Sequence, residues 1–267
     1  REEYIARTNR KDTPNIFREI NKEIKKKNLI FPYMSDDYMT LGNLINEVSE
    51  KFKYIIVTRN PIDLVFTNFR SGRPTRLGID PRYNKPAYKI DKYENLPSSM
   101  LKMPKEYITA NPLEKCFLII EKKLKAYLNS NLLQLKNYCL VPFENYCIET
   151  EKYIKLLENF LATKRTKFTD DEMIKVNVPR KKDDDTFSKK ANIIFDNMSE
   201  KYVTRLKKLC ENYETEISDI YKLGSIKKYK KNEFKGLNID AFSKISEGSK
   251  YHKGKLSNNK KHILYSS

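Results

Sequence analysis

The spacing of hydrophobic and polar positions changes abruptly at Arg59. Residues 54–57 are consecutive apolar residues, a pattern typical of a strand buried on both faces in a parallel sheet. Asn60 then suits an N-cap, Pro61 the first helical position and Asp63 the first helical turn. The pattern predicts a strand followed at once by a helix. Arg59 lies between them, where open α/β sheets bind ligands, and an arginine there indicates an anionic group unless it is only an exposed loop residue.

Helical spacing of apolar residues recurs along the rest of the chain. It predicts helices over residues 15–28, 40–51, 112–136 and about 199–222. A short strand is predicted at residues 29–31, stopped by Pro32. This alternation of strands and helices predicts an α/β domain with three layers, helices covering both faces of a central, mainly parallel sheet.

Residues 70–112 lack a sustained period and contain six prolines with four tyrosines between them. We therefore expect a long irregular insertion there. Long loops inside compact domains are usually functional or mobile.

The segment from residue 57 to residue 67 resembles the 3′-phosphate-binding segment of the sulfotransferases that use 3′-phosphoadenosine 5′-phosphosulfate. In that family a strand ends in Arg-Asn-Pro, an Asp follows after one residue, and a Ser or Thr stands eight residues after the Arg. The matching residues are Arg59, Asn60, Pro61, Asp63 and Thr67. The resemblance implies a P-loop-like sulfotransferase fold in which the guanidinium of Arg59 and the hydroxyl of Thr67 bind the 3′-phosphate.

The resemblance continues downstream in the family's order. Residues 139–146 resemble the second strand, which in sulfotransferases ends in Tyr-Glu-Asp-Leu, and residues 149–163 resemble the helix that follows it. Phe143 stands where the family often has a tyrosine that touches the adenine ring. Phenylalanine retains the stacking surface but lacks the phenol hydrogen bond. In the family the region that corresponds to residues 70–112 helps to form the acceptor pocket.

Residues 178–185 resemble the late Arg-Lys-Gly segment, which closes over the 3′-phosphate. Arg180 and Lys181 match it, whereas Lys182 replaces the glycine. A solvated basic loop is the alternative interpretation. The resemblance thus implies 3′-phosphoadenosine 5′-phosphosulfate as cosubstrate, no metal, and a hydroxyl or amine acceptor of unknown identity.

The family's Gly/Ser/Thr-rich loop, which wraps the 5′-phosphosulfate, has no counterpart before Arg59. Seven glycines occur in the chain, none in that setting. We expect the loop to precede Arg1 if the protein transfers sulfate. Two alternatives remain open: a non-catalytic protein of the same fold that acts as a basic scaffold, and a P-loop kinase of small molecules.

The charge is strongly positive, with 53 Lys+Arg against 35 Asp+Glu and a net charge of +18. Residues 224–267 hold eleven lysines against three acidic residues and few apolar ones. We expect residues 1–223 to form the domain and residues 224–267 a weakly structured basic extension. Such an extension suits a polyanionic partner: nucleic acid, a membrane surface or a sulfated glycan.

The remaining reactive residues give few candidates for catalysis. The four cysteines lack Cys-x-x-Cys spacing, and both histidines lie in the basic extension, which argues against a metal site or a histidine base in the domain. Cys139 and Cys147 are expected to be packed thiols. Asp36 and Asp37 are the nearest carboxylates to the predicted strand, but they also suit a turn before a helix, so the base stays unassigned.

No apolar run reaches the length of a membrane span, and no signal peptide is visible. We therefore favour the cytoplasm over the Golgi lumen as the location.

Overall fold

The computed structural model describes three stretches of the chain and three isolated residues: 53–77, 87–128 and 136–229, with Arg18, Lys22 and Lys26. The chain divides into two units, residues 1–38 with 254–267 and residues 39–253. Arg18, Lys22 and Lys26 represent the first unit and are helical and exposed, within the predicted helix 15–28. The predicted strand at 29–31, the predicted helix at 40–51, and Asp36 and Asp37 lie outside the described residues.

The second unit mixes helices and strands, which agrees with the α/β class. Its described elements are β1 (Tyr54–Thr58), α1 (Pro61–Arg70), α2 (Arg73–Arg76), β2 (Tyr88–Ile90), β3 (Tyr93–Leu96), α3 (Pro104–Thr109), α4 (Pro112–Leu128), β4 (Tyr138–Pro142), α5 (Phe143–Ile148), α6 (Thr150–Leu161), α7 (Lys167–Lys175), α8 (Asp184–Asn197) and α9 (Glu200–Glu216). Short 3₁₀ turns span Ser98–Met100 and Leu223–Ser225.

Strands β1 and β4 pair in parallel, in register from Tyr54 opposite Tyr138 to Thr58 opposite Pro142. The parallel pairing agrees with the prediction, but burial of β1 on both faces was wrong, because Ile55 is 41% and Val57 58% exposed. Successive strand side chains point to opposite faces. In the described part of the chain β1 pairs with β4 alone and is covered on one face.

Helix α1 begins directly after β1 because Asn60 caps it. The Asn60 side chain accepts a hydrogen bond from the backbone N–H of Ile62 at 2.9 Å, and Pro61 occupies the first turn. The helix then buries Ile62, Val65, Phe66 and Phe69. The strand-to-helix junction predicted at Arg59 is therefore confirmed.

The main hydrophobic core lies between α1, α4, α8 and α9. It includes Val65, Phe117, Ala191 and Leu206, all of them fully buried. Asn111 and Glu114 cap α4 reciprocally, since the Asn111 side chain accepts from the Glu114 N–H and the Glu114 carboxylate accepts from the Asn111 N–H, each at 2.9 Å.

The prediction of an irregular insertion over residues 70–112 was wrong in its described parts. Strands β2 and β3 form an antiparallel pair, and several of the prolines occupy the first turns of helices α2, α3 and α4. Proline is favoured there because the first helical N–H groups have no partner within the helix. Leu96, Met100 and Tyr107 pack into the main core, so this segment is part of the domain.

Other boundaries differ from the predicted ones. Helix α4 is described to Leu128, and α9 ends at Glu216 rather than near residue 222. Helices α7 and α8 were not predicted. The backbone N–H of Lys227 donates to the Ser188 hydroxyl at 3.1 Å, so the first residues of the basic extension contact α8. The four cysteines are free and buried, as expected for Cys139 and Cys147.

We expect Leu206→Ala to lower the free energy of unfolding by about 2–5 kcal/mol, because Leu206 is fully buried and its truncation leaves a cavity in the main core. Leu156→Ala, the same substitution at a 42% exposed position of α6, is the control and should cost far less. Urea unfolding measures both. Equal losses for the two variants would contradict the core assignment.

Candidate functional site

Arg59 and Phe143 lie side by side because β1 and β4 are parallel and end together. Thr58 pairs with Pro142, so the next residue of each segment emerges at the same edge of the sheet. The guanidinium carbon of Arg59 lies 4.7 Å from the centroid of the Phe143 ring. This distance is within the range of cation–π contacts, which stabilise the position of a guanidinium group.

Arg180 reaches the same place from the loop between α7 and α8. Its backbone N–H donates to the carbonyl of Cys147 at 2.6 Å, which ties the loop to α5. Its side chain donates to the carbonyls of Asn177 and Val176 at 2.9 and 2.8 Å. The Arg180 guanidinium carbon lies 5.9 Å from the Phe143 centroid, so one ring contacts both arginines.

These residues line a cleft of about 530 Å³, a size suited to a small ligand. Four cations line it, and three carboxylates lie among them. The cations are Arg59, Arg180, Lys181 and Lys190, and the carboxylates are Asp63, Glu144 and Asp183. Positive charge is therefore in excess. Two of the cations, Arg59 and Lys190, share one carboxylate, that of Asp63.

Glu144 is buried beneath the junction of β1 and α1. One carboxylate oxygen accepts the backbone N–H of Asn60 at 2.5 Å, and the other accepts the Tyr213 hydroxyl at 3.0 Å. That hydroxyl lies 3.4 Å from the Thr58 hydroxyl. Burial raises the pKa of Glu144, and the charge of Asp63 acts in the same direction. Glu144 thus links α5 to both the end of β1 and α9.

Asp63 lies between two cations. Its Oδ1 is 2.5 Å from the Nζ of Lys190, and its Oδ2 is 3.8 Å from the Nε of Arg59. The side chain of Asp63 is only 9% exposed. The short contact with Lys190 makes this residue the principal partner of Asp63, and Arg59 is the more distant one.

An aromatic wall of Phe187 and Tyr221 bounds the cleft, the two rings stacked with centroids 4.7 Å apart. The Tyr221 hydroxyl accepts the backbone N–H of Asp183 at 3.2 Å. Asp183 in turn caps α8 through the N–H of Thr186, a hydrogen bond that lowers the pKa of Asp183. The wall gives the cleft an apolar surface beside its charges.

Cys147 also lines the cleft. Burial raises the pKa of this thiol, which disfavours the thiolate form that a cysteine nucleophile needs.

The structure brings together Arg59, Phe143, Arg180 and Lys181, which the sequence analysis placed in one site. Thr67 is exposed on α1 and is not part of the cleft lining. The ring of Phe143 contacts guanidinium groups, so it supports the two arginines.

Sequence reasoning missed Lys190 and Tyr221. Lys190 lies on α8, which was not predicted, although Phe187, Ala191 and Ile194 recur at helical spacing after a capping aspartate and give the signal for it. Tyr221 follows the end of α9 and has no motif around it.

Among the described residues, no group of three or more His, Cys, Asp or Glu side chains is placed to hold a metal ion. Within the same ranges, no helix has both the length and the apolar character needed to cross a membrane. Comparison of the chain with protein-family models, with curated proteins and with solved structures found no match. The function is therefore argued from the site.

Glu144→Gln should change how stability depends on pH. Because burial raises the pKa of Glu144 in the folded state, the folded protein holds this proton more tightly than the unfolded chain does. The protonated form of Glu144 therefore contributes to the free energy of unfolding at low pH. As pH rises above about 4.5, the wild type loses this stability until the pH passes the raised pKa. The amide cannot ionise, so we expect the stability of the variant relative to the wild type to increase over that range.

Urea unfolding from about pH 4.5 to about pH 8 measures the difference. Glu216→Gln, at the exposed last position of α9, is the control. Its free energy of unfolding should differ from that of the wild type by a nearly constant amount across this pH range. A constant difference for Glu144→Gln as well would show that Glu144 does not ionise in this way.

Proposed function

We propose that the cleft binds the 3′-phosphate of 3′-phosphoadenosine 5′-phosphosulfate and that the protein is a sulfotransferase. One observation carries the proposal. Arg59, Phe143, Arg180 and Lys181 come from three separate segments that each resemble a nucleotide-binding segment of the family, and they line a single cleft.

The geometry of Arg59 supports an anionic ligand. Its Nε is buried and makes no hydrogen bond within the described part of the chain, and its 3.8 Å separation from Asp63 is too long for one. A buried donor without an acceptor is costly. The rest of the side chain, which is 33% exposed, lines the cleft and can contact a phosphate oxygen there. The planar guanidinium also matches the paired oxygens of a phosphate.

Arg180 and Lys181 add positive charge to the cleft from the loop at residues 176–183. Two carbonyl groups already orient the Arg180 guanidinium, so less side-chain freedom is lost when an anion binds. A phosphate held between these cations is recognised by several charge-assisted hydrogen bonds. An adenosine 5′-nucleotide without the 3′-phosphate would leave the same cations without their ligand.

The proposed fold follows from the same features. The parallel pairing of β1 with β4 and the position of Arg59 at their carboxyl edge support a three-layer α/β/α arrangement of the sulfotransferase type. Binding of the 3′-phosphate by the Thr67 hydroxyl stays a prediction of the resemblance; Thr67 does not line the cleft. The predicted basic extension and its polyanionic partner are likewise proposals.

When bound, 3′-phosphoadenosine 5′-phosphosulfate supplies the sulfuryl group that passes to a hydroxyl or amine of the acceptor. The residues of the cleft would hold the nucleotide by its 3′-phosphate and orient it. Holding a reactant in the reactive geometry lowers the barrier of the transfer step. The general base is unassigned.

Calorimetry with two nucleotides tests the proposal. Adenosine 3′,5′-bisphosphate should bind more tightly than adenosine 5′-monophosphate. Arg59→Ala should weaken the binding of the bisphosphate by roughly 10- to 100-fold, because charge-assisted hydrogen bonds are lost. Arg70→Ala is the matched control, since Arg70 lies exposed at the other end of α1 and does not line the cleft.

Equal affinity of the wild type for the two nucleotides would contradict the proposal. So would an equal loss in the Arg59→Ala and Arg70→Ala variants. Repeating the titrations near 1 M salt separates binding in the cleft from attraction to exposed lysines, because the screening length falls to about 3 Å.

A further inference from the structure

We infer that Lys190 is a positioning residue that keeps Arg59 available for an anion by holding the carboxylate of Asp63. This inference rests on the proposed function of the cleft as a phosphate site and names a residue that positions the groups of that site. Asp63 is one of the residues that carry the resemblance to sulfotransferases, whereas Lys190 lies on α8, outside every segment on which the resemblance depends.

The first step is the competition for Asp63. Its carboxylate has a short ion pair with Lys190 at 2.5 Å and a longer one with Arg59 at 3.8 Å. Asp63 lies in the first turn of α1, whereas Arg59 precedes the helix and its N-cap. Of the two cations, Lys190 is therefore the one in direct contact with the carboxylate.

The second step is the state of Arg59 that results. Its Nε is buried and has no hydrogen-bond acceptor within the described residues, while the side chain as a whole is 33% exposed and lines the cleft. The Phe143 ring supports the guanidinium but offers no acceptor oxygen. Arg59 is therefore held in place with donors left for a ligand.

The third step is what Lys190 prevents. A carboxylate that is 9% exposed and has lost its cation is unstable, because a buried charge needs a partner. Arg59 is the neighbouring cation, and a small side-chain movement would close the remaining distance. A phosphate would then have to displace Asp63 and would also meet its negative charge.

The alternative is that Lys190 binds the phosphate directly, since it lines the cleft. The two roles differ in one respect. If Lys190 acts through Asp63, removing the Asp63 charge makes Lys190 dispensable. If Lys190 contacts the ligand, binding still depends on Lys190 after the Asp63 charge is removed.

A double-mutant cycle with a ligand-independent readout separates these roles. The proteins are the wild type, Lys190→Met, Asp63→Asn and the double variant Asp63→Asn/Lys190→Met. Phenylglyoxal labelling in the absence of nucleotide, followed by mass spectrometry, reports how free the Arg59 guanidinium is. Labelling of Arg70 in the same sample serves as the internal reference, because Arg70 is exposed and remote from the cleft lining.

We expect Lys190→Met to slow the labelling of Arg59 several-fold relative to Arg70, and the double variant to restore the wild-type rate, because interacting charged pairs show non-additive effects of this size. Calorimetry with adenosine 3′,5′-bisphosphate should follow the same pattern, with roughly tenfold weaker binding in Lys190→Met and recovery in the double variant. Lys190→Arg, which keeps a cation beside Asp63, should behave as the wild type.

Unchanged labelling of Arg59 in Lys190→Met would overturn the inference. A double variant that labels like the wild type but still binds the bisphosphate as weakly as Lys190→Met would overturn it in favour of direct contact. If Lys190→Met does not fold, Lys190→Gln, which retains a hydrogen-bond donor, replaces it in the cycle under the same criteria. If labelling follows the cycle but the wild type binds both nucleotides equally, the control of Arg59 by Lys190 stands and the proposed function fails.

Discussion

The arrangement of the cleft depends on the buried carboxylate of Glu144. It accepts the N–H of Asn60 and the hydroxyl of Tyr213, and so joins the start of α5, the junction of β1 with α1, and α9. The Asn60 N–H belongs to the peptide unit that follows Arg59, so this hydrogen bond fixes the direction in which Arg59 leaves the sheet. A buried carboxylate with two donors is stabilised by them, and it rigidifies the backbone that they belong to.

Around this fixed point the cleft balances opposite charges. Phe143 contacts both Arg59 and Arg180, which holds two like-charged groups near one another. Lys190 forms the short ion pair with Asp63, so Asp63 interacts less strongly with Arg59. Such a site is stable when empty because its cations are partly compensated, and it gains from an anion because the compensation is incomplete.

The parts that the sequence predicted are those with local signals. The junction at Arg59 was predictable because Asn60 and Pro61 are strong helix-start residues after an apolar run. Burial of Ile55 and Val57 was not, since an apolar run does not report whether a second layer covers it. Phe143 and Arg180 were placed in one site by resemblance alone. Their contact arises from the parallel register and from the loop that Cys147 holds, neither of which leaves a pattern in the sequence.

The most direct test of the central claim is a crystal structure of the protein with adenosine 3′,5′-bisphosphate. The account predicts the 3′-phosphate in the cleft, with its oxygens within hydrogen-bonding distance of the Arg59 guanidinium and of Arg180 or Lys181. A nucleotide bound elsewhere, or bound in the cleft with its 3′-phosphate turned away from Arg59, would contradict it.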